Sequence, residues 1–198
     1  ELYLTSRGSA KMKNWLFAGI LMLSVWEGVA VQADEAPMTT VEATLDIEYL
    51  QRWYARATDL IGTNDAANIE EGRKIYHRIF TPDARISASD PAANRQLAAQ
   101  GPDKWVDVVA GALAVFDSTQ HLLGTQIVEL ESLPDAEGNG GQASMASYLQ
   151  AWHHDPDRVI DIFLGTYYSK VRYNHGIGWQ IYDMRLERVA GEVIDKRA

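Results

Sequence analysis

The sequence predicts an α+β fold: two to three N-terminal helices packed in a strongly curved, mostly antiparallel sheet. Three observations predict it. Apolar residues recur at three- and four-residue spacing in two segments before residue 81 and in a third after residue 101. Past Phe116 that period gives way to long extended runs. Three turn-rich connections separate these runs, which implies an antiparallel meander. Helices followed by such a meander is the α+β order. A few helices cannot fill the concave side of a curved sheet, so a cavity is expected, and cavities of this kind are the default ligand site.

The elements follow in order. Thr39-Thr-Val-Glu42 has the pattern of a capping box and opens the first helix. Ile47, Leu50, Tyr54, Ala57 and Ile61 give that helix one apolar face, and Gly62 suits its end. The pattern returns through Gly72, Ile75, Tyr76, Ile79 and Phe80, giving a second helix over 69–80, and Thr81-Pro-Asp83 stops it. Ala84–Ala88 reads as a short strand, and Asp90–Gly101 as a mobile loop with at most a helical turn. Pro102 is placed to open a third helix, whose apolar face is Trp105, Val108, Val109, Ala112, Leu113 and Phe116. Strands are expected over 119–131, 142–153, 159–173 and 178–188, joined at 134–141, 154–157 and 174–178. Residues 189–198 read as a charged tail with weak structure. No internal repeat and no second domain is evident, so residues 34–188 form one domain.

Composition narrows the function. The chain of 198 residues has 46% hydrophobic residues, enough for a packed core. It has no cysteine, which removes disulfides, thiolate metal sites and a cysteine nucleophile. Its net charge is −9 and no basic cluster stands out, a poor match to a phosphate backbone, so no nucleic-acid partner is expected. Met12-Lys-Asn14 has a basic start, Trp15–Trp26 is mainly apolar, and small residues Val31 and Ala33 follow. This is the pattern of a secretory signal peptide, too short to span a bilayer comfortably. Residues 1–11 read as an upstream remnant. The expectation is an exported, periplasmic protein that meets the membrane only through this segment before cleavage.

Several side chains can carry chemistry. His121 stands at the entrance of the first long strand, and its unperturbed pKa of about 6.5 suits a base at neutral pH. Such a base needs a carboxylate on its other nitrogen to fix the tautomer. Strand alternation places Met145, Ser147, Leu149, Ala151 and His153 on one face, the more apolar one. His153 and His154 are neighbours on a strand and point to opposite faces, and no third ligand is placed by spacing, so no metal site is expected. Phosphate-binding loops, dinucleotide fingerprints and a glycine-flanked serine nucleophile are not found, and no cofactor is expected.

The order of elements and several phrases together resemble the SnoaL-like branch of the nuclear transport factor 2 (NTF2)-like superfamily. The phrases are Tyr54-Ala-Arg-Ala-Thr-Asp59, Ile79-Phe-Thr-Pro-Asp-Ala84, His121-Leu-Leu-Gly124, Ala143-Ser-Met-Ala-Ser-Tyr-Leu-Gln-Ala-Trp-His153, Gly165-Thr-Tyr167 and Gly178-Trp-Gln-Ile181. They span about residues 43–188. The superfamily includes scytalone dehydratase, polyketide cyclases, ketosteroid isomerase and hexachlorocyclohexane dehydrochlorinase, as well as non-catalytic proteins. The resemblance implies an NTF2-like cone and a His–Asp pair at its mouth, with His121 as base, Asp59 as its orienting carboxylate and Tyr54 as a hydrogen-bond donor. It further implies a small hydrophobic, cyclic or aromatic hydroxylated ligand, held by His153, Trp53, Trp105, Tyr148 and Tyr167, and a homodimer through the convex sheet face.

The expected activity is therefore a cofactor-free, dehydratase-type lyase. A non-catalytic periplasmic small-molecule binder and an isomerase using the same His–Asp pair stand beside it. Three features depart from the resemblance. Residues five apart on a helix differ by about 140° around its axis, so Tyr54 and Asp59 share a cavity only if it straddles the first helix. The hairpin over 132–141 is long, and most characterised enzymes of this type carry no export signal.

Overall fold

The computed structural model describes residues 37–90, 94–157 and 159–195. The export segment expected at 12–33, and the remnant before it, lie outside the described residues. Three helices, α1 (Thr40–Ile61), α2 (Ala66–Ile79) and α3 (Pro102–Leu113), pack against one sheet of six strands. The strands are β1 (Phe80–Asp90), β2 (Arg95–Gln100), β3 (Ser118–Pro134), β4 (Gly140–His154), β5 (Val159–Asn174) and β6 (Gly178–Asp195). They lie in the order β2-β1-β6-β5-β4-β3, antiparallel except for the parallel β1–β6 pair. The sheet is curved and does not close.

Local chemistry accounts for the helices. Thr39 caps α1, accepting from the Glu42 N–H while the Glu42 carboxylate accepts from the Thr39 N–H at 2.8 Å. Ile47, Leu50, Tyr54, Ala57 and Ile61 make the buried stripe anticipated from spacing, and Ala43 extends it by a turn. Each large apolar side chain buried this fully, Ile47 among them, stabilises the fold by roughly 1.5–3 kcal/mol. Asp65 caps α2 by accepting from the Ala67 and Asn68 N–H groups at 3.0 Å. At the other end of α2, the buried Gln180 amide donates to the carbonyls of Arg78 and Phe80 at 3.0 Å. A residue of β6 thereby satisfies helix-end carbonyls that have no partner of their own.

Two segments differ from the sequence expectation. Residues 95–100, expected within a mobile loop, form β2 and pair with β1 from Arg85↔Gln100 to Asp90↔Arg95. Gly101, at φ +84°, then turns the chain into α3, where Pro102 occupies the first turn. Residues 189–195, expected as a weakly structured tail, continue β6 and pair with β5 as far as Val159↔Asp195. Their side chains are exposed, so hydrogen bonding rather than burial holds them in the sheet.

The close approach of α1 to β3 positions the site. A Cβ on Gly62, at the end of α1, would overlap the Thr119 methyl and lie 3.1 Å from Leu113 Cδ1. The absent side chain lets the helix end meet the first residues of β3. Overpacking of this kind costs about 1–3 kcal/mol, so Gly62→Ala should lower the urea midpoint accordingly.

Candidate active site

A cavity of about 280 Å³ lies between α1, α3 and the concave face of the sheet. Its walls are largely apolar, with Val109, Leu113, Leu149, Phe163 and Leu186 among them, and Tyr54, His121 and His153 contribute polar groups. Alternation explains who faces inward. Along β4 the residues Ala143, Met145, Ser147, Leu149, Ala151 and His153 are buried, while those between are more exposed.

His121 is on the inward side of β3, opposite Ala151 of β4. Its ring Nδ1 lies 2.7 Å from Asp59 Oδ1. The same carboxylate accepts from the His121 backbone N–H at 3.0 and 3.2 Å. Both side chains are sheltered, 7% exposed for His121 and 20% for Asp59. An acceptor-only carboxylate at Nδ1 favours the tautomer with its hydrogen there, leaving the Nε2 lone pair for the cavity. Asp59 itself does not line the cavity; it stands behind the histidine. The five-residue offset from Tyr54 is thereby resolved, because one face of α1 supplies a cavity wall and another supplies the support.

Tyr54 lines the cavity and is 2% exposed. Its hydroxyl accepts a bond from Trp105 Nε1 at 3.1 Å. Its ring stacks on Tyr76 and meets Tyr167 edge-on, both at 5.3 Å between centroids. Burial raises the Tyr54 pKa, with bonds to Trp105, Thr58 and Tyr76 acting in the opposite sense. The phenol therefore stays protonated at neutral pH and serves as a hydrogen-bonding group, not a base.

His153 is 8% exposed, stacks on Phe116 at 4.8 Å and meets the His121 ring edge-on at 5.7 Å. Its Nδ1 is buried without a protein partner among the described residues. Burial, and after it the positive charge available on His121, lower its pKa below the ordinary histidine value. His153 is thus neutral at pH values where an exposed histidine begins to charge.

Of the residues assigned from sequence, His121, Asp59, Tyr54, His153, Trp105 and Tyr167 come together at the cavity. Trp53 and Tyr148 do not. Trp53 is on the outer face of α1, 40% exposed, beneath the Arg78 guanidinium. Tyr148 is on the outer face of β4, 56% exposed, because it alternates with the inward Leu149. Sequence reasoning missed Leu97, Phe163, Leu186 and Arg188, all of which line the cavity. Leu186 and Arg188 were legible as alternate residues of one strand face; Leu97 had no signal once its segment was read as a loop. Among the described residues, no group of three or more His, Asp or Glu side chains is arranged to hold a cation.

The lowered pKa of His153 has a sign. Between that value and about 6.5 the unfolded chain binds more protons than the folded one, so stability is present above about pH 6.5 and declines as the pH falls below it. His153→Gln should weaken this decline, as read from urea midpoints at about pH 5 and 7, and the His153 ring resonances should titrate below those of an unfolded control.

In sequence, the chain matches no curated protein. In structure, it is similar to the Kfla4162 protein of Kribbella flavida, with a TM-score of 0.60 at 15% identity over 78% of this chain and 95% of the other. A protein from Novosphingobium aromaticivorans proposed to be a scytalone dehydratase matches with a TM-score of 0.57 at 19% identity, over 80% and 94% of the two chains. The LinA-type3 hexachlorocyclohexane dehydrochlorinase of Novosphingobium barchaimii matches with a TM-score of 0.59 at 11% identity, over 79% and 92%. At these identities the likeness is one of fold. The SnoaL-like domain pattern matches residues 39–192, most of the chain and both members of the His121–Asp59 pair. On that match the chain belongs to the SnoaL-like domain family.

Proposed function

We propose that this protein is a cofactor-free lyase that eliminates water, or a comparable leaving group, from a small hydrophobic cyclic or aromatic compound. The observation that carries the reading is the 2.7 Å contact between His121 Nδ1 and Asp59 at the wall of a largely apolar cavity. His121 Nε2 takes a proton from a carbon beside a carbonyl or aromatic group. The released electron pair forms the double bond as the leaving group departs from the adjacent carbon. Asp59 stabilises the imidazolium formed and keeps the ring aimed. The Tyr54 phenol and the neutral His153 hydrogen-bond the departing or developing oxygen. The names of the similar structures, a dehydratase and a dehydrochlorinase, support elimination. An isomerase would share the first step and differ in returning the proton to another carbon.

The proposal extends to location and assembly. The basic and apolar pattern over residues 12–33 supports export to the periplasm. Leu122, Ile127, Tyr148, Trp152 and Tyr168 are exposed on the outer face of β3, β4 and β5, an apolar patch suited to a homodimer through the sheet.

The test is turnover of a panel of hydroxylated aromatic and alicyclic compounds, followed by mass spectrometry for loss of water. His121→Ala and Asp59→Asn should each lower the rate by about 10²–10⁴-fold while leaving the circular dichroism spectrum unchanged. Turnover that persists in His121→Ala would overturn the mechanism. Tight binding without turnover across the panel would make the protein a ligand carrier.

A further inference from the structure

The cavity has a second polar end. Arg188 lines it from β6, beside Arg95 and Asp90 of the β1–β2 hairpin. Arg188 Nη1 pairs with Asp90 Oδ2 at 2.6 Å, and its Nε donates to the Ala190 carbonyl at 3.3 Å. The guanidinium carbon sits 5.4 Å from the centre of the Phe163 ring. Nη2 is left without an acceptor among the described residues.

The backbone is shaped to hold this group over the cavity. Leu164 pairs with Ala190 and Gly165 with Arg188, so Val189 is an extra residue that bulges β6 beside Arg188. Gly191 follows, and a Cβ there would overlap Arg188 Nη2. The glycine leaves the space the guanidinium occupies. The side chain is 27% exposed and its Asp90 partner 15%. A partly buried ion pair is weak evidence for stability, because removing both charges from water offsets most of their attraction.

Register ties this end to the other. His121 pairs with Ala151, Ala151 with Phe163, and Phe163 with Gly191, the residue over which the guanidinium lies. One row across the sheet therefore carries the imidazole at one end, a small residue and an aromatic ring as its floor, and the guanidinium at the other. Three strand spacings separate its ends, about 14 Å along the sheet, and less across the concave face once the side chains reach inward. A ring with one substituent fits that span. The far end holds two cations, Arg95 and Arg188, around one carboxylate, Asp90, which are cross-strand or paired neighbours. Asp161 also lines the cavity, but on the row of His153, whose proton affinity it raises.

We infer that Arg188 determines specificity by binding a carboxylate on the substrate, so that the ring lies over Ala151 and Phe163 with its reacting carbon at His121. The substrate class is a monocarboxylate of an aromatic or alicyclic ring. Asp90 fixes the guanidinium, Arg95 leaves the end net positive, and the carboxylate takes the donors that Asp90 does not use. A charge-assisted bond of this kind is about twice as strong as a neutral one, which is why an acid is selected over its amide. The inference rests on the reading of the cavity as the substrate site.

The experiment is calorimetric titration of the full chain with three matched pairs: benzoate and benzamide, cinnamate and cinnamamide, 2-naphthoate and 2-naphthamide. At least one acid should bind about tenfold or more tightly than its amide, a difference of about 1.4 kcal/mol. Arg188→Met should bring that acid to the affinity of its amide and leave the amide unchanged. Parity in the unaltered protein overturns the inference without any variant, and absence of binding to every acid at millimolar concentration counts as parity. A preference that survives Arg188→Met in a folded protein overturns it equally. His121→Ala should keep the acid preference while losing turnover, so failure of the lyase reading and failure of this one are separate results.

Discussion

One carboxylate organises the site. Asp59, near the end of α1, accepts from both the backbone N–H and the ring of His121. The two bonds have different consequences. The backbone bond joins the helix end to the start of β3, which is an edge strand of the sheet. Half the amides of an edge strand point away from their only neighbour, and a buried amide without an acceptor costs about 1–3 kcal/mol. The ring bond then fixes the imidazole on an anchored backbone. Neither bond alone sets the direction of Nε2; together they remove the freedom of both the main chain and the ring.

That arrangement needs α1 to be immobile, and the aromatic cluster beneath it supplies the reason. Tyr54, Tyr76 and Phe80 meet within 5.3–5.9 Å, and Tyr167 of β5 closes the group from the sheet. The rings are large and have few rotamers, and the buried Tyr54 and Tyr76 hydroxyls find partners inside the fold. Thr58 and Tyr76 share a bond of 2.7 Å, and Trp105 reaches Tyr54 from α3. All three helices are thus tied through side chains, of which Tyr54, Thr58 and Trp105 also line the cavity. The functional groups lie on helix and strand, not on loops, which suits chemistry that depends on small distances.

Much of this was legible in the sequence, for definite reasons. The buried stripe of α1 and the inward face of β4 follow from periods of 3.6 and 2 that burial enforces. The His121–Asp59 contact was reachable only by resemblance, since no local pattern joins residues 62 apart. The misreadings share a cause. Arg-Gln-Leu-Ala-Ala-Gln, residues 95–100, has little β preference, and only pairing with β1 makes it a strand. Residues 189–195 bury almost nothing, so periodicity carries no trace of their pairing with β5. Trp53 was misplaced because adjacent helix residues differ by about 100°. Tyr148 was misplaced against the alternation that put Leu149 inward.

The bulges decide which residues stand at the polar ends of the cavity. A strand without irregularity alternates strictly, and each extra residue exchanges the two faces from that point on. In β3 the register shifts between Leu123 and Gln126, so His121 and Leu123 face inward before the shift while Gln126, Val128 and Leu130 do so after it. In β6 the shift falls at Val189, directly after the inward Leu186 and Arg188. Had β6 run on regularly, residue 190 would have followed Arg188 on the inward face, and its side chain would have competed for the space beside Phe163. The bulge instead brings Gly191 to the row of Phe163, where the guanidinium fills the gap. The sheet therefore does more than enclose a volume. Its irregularities set which residue closes each end of that volume, and the two residues so placed are the imidazole and the guanidinium.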